Sequence, residues 1–200
     1  MRAEPPNVEA VGALTAAFVG VGMAVTMAMS FLLIIPIEPA YLLLSIPAGI
    51  VIGYYANARS RRVRGEWRRL LPNAALAGLA TGLTLAGLLL ATKALFFFAD
   101  NGYPDFNRVD QDGMTTGQLC QTGADCVYQR YLAQQPDALA AAGVTDATSF
   151  SNLYWESQWG SARLLVLGTT AASLLGAALF GFGGPRTTAA VPARRAQAPA

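Results

Sequence analysis

Four long apolar stretches constrain the fold of this chain more than any other feature. They cover residues 11–35, 40–56, 73–99 and 162–182. About 20 helical residues cross a hydrocarbon layer roughly 30 Å thick. Charged residues make up only 13% of the chain, against about 25% in an ordinary soluble domain, and 54% of the residues are hydrophobic. We therefore predict an all-α integral membrane protein with four transmembrane helices that contact the lipid bilayer.

The second stretch, 40–56, is the shortest of the four and contains Pro47. It is either a kinked span or a re-entrant hairpin. Tyr41 stands at one end and Tyr54 and Tyr55 at the other. Tyrosines are enriched at both membrane interfaces, and this placement favours a full span.

The first stretch, 11–35, also has to be compared with a secretory signal peptide. Glu4 and Glu9 accompany Arg2 before it, and the apolar run is about twice as long as a signal-peptide core. Residues 28–30 resemble a cleavage site, but the apolar run continues past them. We interpret the stretch as an uncleaved helix.

The distribution of arginine predicts the orientation of the helices. Six arginines and a single acid, Glu66, occupy the segment 57–72, and the tail 183–200 has three arginines and no acid. The segment 100–160 has eight acids and only two arginines, Arg108 and Arg130. Because basic loops stay in the cytoplasm, both termini are predicted to be cytoplasmic and the loop 100–160 exported. The Ala-, Gly-, Leu- and Arg-rich composition suggests a bacterial cytoplasmic membrane.

The tail 183–200 is rich in Pro, Ala, Arg and Thr and has no apolar period. Such a segment cannot bury enough apolar surface to offset the entropy of ordering the chain. We expect a disordered, solvated topology anchor; the alternative is a contact with lipid headgroups or with a partner.

Cys120 and Cys126 are the only cysteines, and both lie in the loop that is predicted to be exported. Disulfides persist in oxidising compartments, and a ring of this size contributes roughly 2 kcal/mol in the chain-entropy model. The alternatives are a redox pair or half of a metal site, but the spacing is not that of thioredoxin-like motifs and the chain has no histidine. The pattern favours a structural disulfide.

The exported loop has helical signals of its own. Residues 127–135 are predicted to form a short helix, and Pro136 to begin another that ends near Gly143. Ser151 is predicted to cap a helix that runs into the fourth span. The aromatic residues of this helix are interpreted as an interfacial belt; an aromatic-lined ligand groove is the alternative. They are Tyr154, Trp155 and Trp159.

Four aspartates lie close together at the start of this loop and end in the sequence Asp-Gln-Asp-Gly at 110–113. Aligning Gly113 with position six of an EF-hand puts Arg108 and Leu119 where carboxylates are required, so that motif is absent. A solvated acidic loop is the expected state, and a looser calcium site is the alternative.

Small residues recur at every fourth position in the predicted spans, which places them on one helix face. Such faces allow close approach of helix backbones in lipid, within one chain or between copies of it. The alternative is chance in Ala- and Gly-rich helices. The first span carries Gly12, Ala16, Gly20, Ala24 and Ala28, the second Gly49 and Gly53, the third Gly78 and Gly82, and the fourth Gly168, Ala172 and Gly176.

Lys93 stands out among the polar residues of the spans because it is ionisable and lies within the third span, six residues before its end. Intramembrane ionisable residues are functional candidates, but Lys93 is close enough to the outer surface to extend its ammonium toward water. We predict an ion pair with Asp100, on the same helix face, or with Glu38, in the turn between the first two spans. A role in transport or binding is the alternative.

The sequence lacks the motifs of common enzyme classes: it has no Gly-x-Ser-x-Gly elbow, no phosphate-binding glycine loop, no paired metal ligands and no histidine. We expect no catalytic residue, cofactor or metal, and no nucleic-acid partner, because the arginines cluster where membrane topology requires them. The expected function is a non-enzymatic accessory or scaffold subunit, as a homo-oligomer or in a larger complex. The alternative is a small-solute transporter or channel subunit with Lys93, Glu38 and Asp100 at its outer mouth. A polar cavity that reaches Lys93 would favour transport, and a dry bundle would favour the scaffold.

Overall fold

The fold is all-helical over the residues that the computed structural model describes. These are residues 8–34, 38–99, 120 and 122–186, with side chains described in 12–28, 41–99, 120 and 122–186. The elements are α1 (Val8–Ile34), α2 (Glu38–Arg59), α3 (Trp67–Ala99), α4 (Ala124–Gln134), α5 (Pro136–Ala141) and α6 (Ala147–Gly183).

Three of these helices are long and apolar enough to cross a membrane. They are Tyr41–Arg59 within α2, Trp67–Ala99, and Ala147–Gly183. The apolar part of α1 whose side chains are described, Gly12–Ala28, is shorter. The chain therefore has the character of a multi-span membrane protein, and a fourth span in α1 stays a prediction.

The four long helices alternate in direction. Gly12 of α1 lies against Ser60 and Gly20 lies against Thr81, so α1 runs antiparallel to α2 and parallel to α3. Gly82 of α3 lies against Val166, and Trp67 against Gly181, so α6 runs antiparallel to α3. α2 is one continuous helix through Pro47, and the re-entrant alternative is not what forms.

Small residues bring the helix backbones into direct contact. A Cβ atom added at Gly53 would overlap the carbonyl oxygen of Ser173, and one at Gly78 would lie 3.0 Å from the Cα atom of Thr170. The hydroxyl of Ser173 also donates a 2.7 Å hydrogen bond to the carbonyl oxygen of Ala74. The packing is internal to the chain at these positions.

The small-residue face predicted for the first span is buried in the same way. Its members pack against the α2–α3 connection and against α3, with Gly20 beside the hydroxyl of Thr81. Gly168 is different, because a Cβ atom added there would meet nothing within 4 Å. The buried members are Gly12, Ala16, Gly20, Ala24 and Ala28.

The end of the bundle at which α2 connects to α3 carries six exposed arginines, and we call it the arginine end. The connection is fixed by the Ser60 hydroxyl, which donates to the carbonyl of Ala56 at 2.7 Å. The backbone N–H of Arg64 donates to the carbonyl of Pro185 at 3.0 Å, which ties this connection to the end of α6. The exposed arginines are Arg59, Arg61, Arg64, Arg68, Arg69 and Arg186.

The opposite end carries α4, α5 and the first half of α6, which together we call the cap. The rings of Phe97 and Tyr154 join it to α3 with centroids 4.8 Å apart. α5 begins at Pro136 and ends before Gly143, as the sequence predicted. Gly143 has a φ of 72°. The cap core consists of Phe97, Val127, Tyr128, Leu139, Val144, Phe150 and Tyr154.

The prediction that Ser151 caps the last helix is wrong, because α6 begins at Ala147 and Asp146 is its N-cap. The Asp146 carboxylate accepts a hydrogen bond from the Ser149 backbone N–H at 2.7 Å, and Ser149 Oγ accepts from the Asp146 N–H at 3.1 Å. This reciprocal pair satisfies two backbone donors at the start of the helix, so α6 begins before Ser151 and Ser151 lies inside it. Glu38, predicted to lie in the preceding turn, is the first residue of α2.

The N-cap residue of α6, Asp146, predicts a pH dependence at the first turn of this helix. The Ser149 backbone N–H, and then its side chain, hold the pKa of Asp146 below its usual range. A carboxyl whose pKa is lowered by folding stabilises the folded state above its unfolded-state pKa of about 3.9, and loses this effect as the pH falls through the folded value. The protection of the Ser149 and Phe150 amides against hydrogen exchange, after correction for the intrinsic pH dependence of exchange, should therefore decrease in acid. The Asp146→Asn variant should lose that pH-dependent part, and an unchanged acid profile would contradict the assignment.

Candidate functional site

Lys93 lies on the buried side of α3 and opens into a cavity between the bundle and the cap. Its side chain is only 6% exposed, and the cavity has a volume of about 440 Å³. Ligand sites usually occupy about 300–1,000 Å³, so the cavity is of the size that holds a small molecule. It is lined by Lys93, Tyr131, Gln135, Ala138, Leu139, Phe150, Leu153, Tyr154, Ser157 and Gln158.

α6 supplies one wall through residues at four-residue steps. Phe150, Tyr154 and Gln158 share one face of the helix for this reason, and all three are buried. The Oε1 atom of Gln158 is buried and has no hydrogen-bond partner within the described part of the chain. A buried amide oxygen is costly unless a donor reaches it, and this atom therefore marks the polar part of the wall.

α4 and α5 form the roof of the cavity, and a disulfide joins the first turn of α4 to the residues before it. Cys120 and Cys126 are joined by a disulfide with an S–S distance of 2.01 Å, which confirms the sequence prediction. Tyr131 of α4 packs on Phe150 with ring centroids 5.1 Å apart. The roof is thus held against α6 by aromatic contacts.

The aromatic residues of α6 that were predicted as an interfacial belt differ in burial. Tyr154 is buried in the cap core and Trp155 packs partly against it, whereas Trp159 is 53% exposed. The belt interpretation therefore suits Trp159, and the groove alternative suits Tyr154, which lines the cavity.

Helix geometry gives the distance of the cavity from the arginine end. From Arg69 at the arginine end to Lys93, α3 rises about 36 Å, more than a hydrocarbon layer of roughly 30 Å but less than the 40–45 Å that includes the headgroups. On α6, Gln158 lies about 38 Å from Gly183. Both distances exceed the thickness of a hydrocarbon layer.

Two buried polar residues of the cap were not identified from the sequence. Arg130 of α4 is only 1% exposed, although the sequence identified it only as one of the two arginines of the loop 100–160. Its signal is its position three residues after Val127, on the buried face of a short helix. Gln158 carried a similar signal, two four-residue steps after Phe150.

The partners predicted for Lys93 lie outside the described residues: Asp100, and the side chain of Glu38. The acidic run that ends at 110–113 and the tail from residue 187 also lie outside them. Within the part of the chain that is described, no three or more Cys, Asp or Glu residues converge as a metal site would require.

Comparison with known proteins adds no relative. No family profile matches the chain, and no curated protein or solved structure is significantly similar to it.

Proposed function

We propose that this chain is a non-enzymatic accessory or scaffold subunit of a bacterial cytoplasmic-membrane complex, with four spans and both termini in the cytoplasm. The observation that carries the proposal is the close backbone packing of the bundle. Gly176 fits so closely that an added Cβ atom would overlap the carbonyl oxygen of Ile50. A Cβ atom added at Gly49 would lie 2.6 Å from the carbonyl oxygen of Thr169. Backbone contacts of this kind make a rigid anchor that cannot readily open.

The charge of the two ends supports the orientation. The described arginine end exposes six arginines, whereas the described acids of the cap, Asp125, Asp137, Asp146 and Glu156, are exposed at the other end. The positive-inside rule then places the arginine end in the cytoplasm and the cap, with its disulfide, in the oxidising compartment.

Photo-crosslinking in native membranes tests the scaffold function. A photoreactive residue replaces Phe18, Leu43 or Leu167, three exposed side chains on α1, α2 and α6. We expect one helix face to give a discrete protein adduct, of twice the chain mass for a homo-oligomer, while the other faces give lipid adducts. The same residue at Leu165, which is 1% exposed, is the control for contacts within the chain. Lipid adducts alone at all three exposed positions would contradict the proposal.

The cavity at Lys93 favours a second candidate, a small-solute transporter or channel subunit. Transport requires the closed packing below Lys93 to open during the cycle. Thr81 is 0% exposed in the middle of α3, and the native cysteines are joined to each other. A Thr81→Cys variant should therefore react with a water-soluble thiol reagent if the chain transports solutes, and should remain unmodified if it is a scaffold.

A further inference from the structure

We propose that the cavity between the bundle and the cap is a binding site for an oxyanion that carries a neighbouring hydroxyl or N–H donor. A phospholipid headgroup and a free organic phosphate or acid share this chemistry. The site does not depend on the scaffold or transport function, because it rests on the residues of the cavity alone.

Lys93 supplies the charge that selects an anion. Its ammonium is the only charged group among the ten described residues that line the cavity, and no carboxylate is among them. The Lys93 side chain is only 6% exposed, and a cation that is largely shielded from water attracts an oxyanion more strongly than one at a surface.

Gln158 selects for a ligand that carries a hydrogen-bond donor. Its side chain is 5% exposed, it lines the cavity, and its Oε1 atom accepts no hydrogen bond from any residue that the structure describes. A ligand hydroxyl or N–H beside the oxyanion satisfies this oxygen, whereas a plain inorganic anion does not.

The remaining wall determines what else the ligand carries. Phe150, Tyr154 and Leu139 present aromatic and aliphatic surface, which suits a short carbon skeleton between the oxyanion and the donor. The depth of Lys93 and the nearby exposed Trp159 put the site level with lipid headgroups. A glycerol-phosphate group combines the oxyanion, the hydroxyl and the carbon skeleton.

Two arms of one experiment test the site and identify the source of the ligand. In the lipid arm, the full chain with a photoreactive residue at Leu153 is placed in phosphatidylcholine nanodiscs that contain a minor fraction of phosphatidylglycerol. In the soluble arm, nanodiscs of phosphatidylcholine alone are titrated with glycerol 3-phosphate, and the unfolding temperature is followed. We expect phosphatidylglycerol adducts enriched over the lipid's share, or a saturable rise in unfolding temperature. A response in neither arm overturns the proposal.

Variants separate the cavity from general surface charge. Lys93→Met and Gln158→Leu should each weaken the response by about tenfold or more, and Lys93→Arg should retain most of it. Arg163→Gln is the control, because Arg163 is an exposed cation on α6 that does not line the cavity. If Arg163→Gln weakens the response as much as Lys93→Met, or if Gln158→Leu leaves it unchanged, the site is not the one described. Gln158→Leu also keeps the test valid if Lys93→Met fails to fold.

Discussion

Replacing Gly176 with alanine is expected to lower the free energy of unfolding by about 1–3 kcal/mol, although alanine is the better helix former by about 1 kcal/mol. The added Cβ atom would overlap the carbonyl oxygen of Ile50 and lie 2.8 Å from the backbone nitrogen of Tyr54. Both contacts are backbone atoms, so no side-chain rotation can relieve them and the two helices must separate. Denaturant titration in detergent, followed by circular dichroism, measures the loss.

Gly168 provides the matched control for this prediction. It lies on the same helix, two turns away, and an added Cβ atom there meets nothing within 4 Å. Gly168→Ala should therefore leave the stability unchanged or slightly raised. Equal stability of the two variants would show that α2 and α6 do not approach each other as described.

Replacing Phe97 with alanine is expected to cost about 3–5 kcal/mol, the usual loss for a buried phenylalanine. Phe97 is fully buried, and its ring packs on Trp155 at 5.5 Å between centroids, in addition to Tyr154. Because it is the residue of α3 in the cap core, its loss should loosen the cap while the disulfide stays intact. Thermal unfolding and limited proteolysis within α4 and α5 measure the effect.

The control for Phe97 is Phe18, which is 80% exposed on α1. The Phe18→Ala change removes the same atoms from a surface rather than from a core, and should change the stability little. If both variants unfold alike, or if the cap of Phe97→Ala resists protease as well as the parent protein does, the cap is not anchored through Phe97.

The helices of this chain were predictable because their signals are local. A backbone in lipid must satisfy its own hydrogen bonds, so a long apolar stretch has almost no alternative to a helix. Pro136 and Gly143 mark the limits of a short helix for equally local reasons. Cys120 and Cys126 are six residues apart, so the short chain between them keeps the two thiols close enough to form a disulfide. These elements depend on a few neighbouring residues each.

The start of α6 and the cavity were not predictable in the same way. Asp146 and Ser149 form a capping box that lacks the usual glutamate or glutamine, so a search for that pattern passes over it. The cavity requires Lys93, Tyr131 and Gln158 to meet from three helices, which depends on tertiary packing. The depth of Lys93 could be counted along the chain, but the groups that surround it could not.

α6 is one uninterrupted helix from Ala147 to Gly183, about 55 Å long. It contributes residues to the cap core and also packs against α3 in the bundle. Its first half packs in the cap, and its last turn meets Trp67 and the backbone tie between Arg64 and Pro185. A straight rod of this length is a lever: a tilt of about 5° at one end displaces the other end by about 5 Å. A movement of the cap against α3 is therefore transmitted along α6 to the arginine end of the protein.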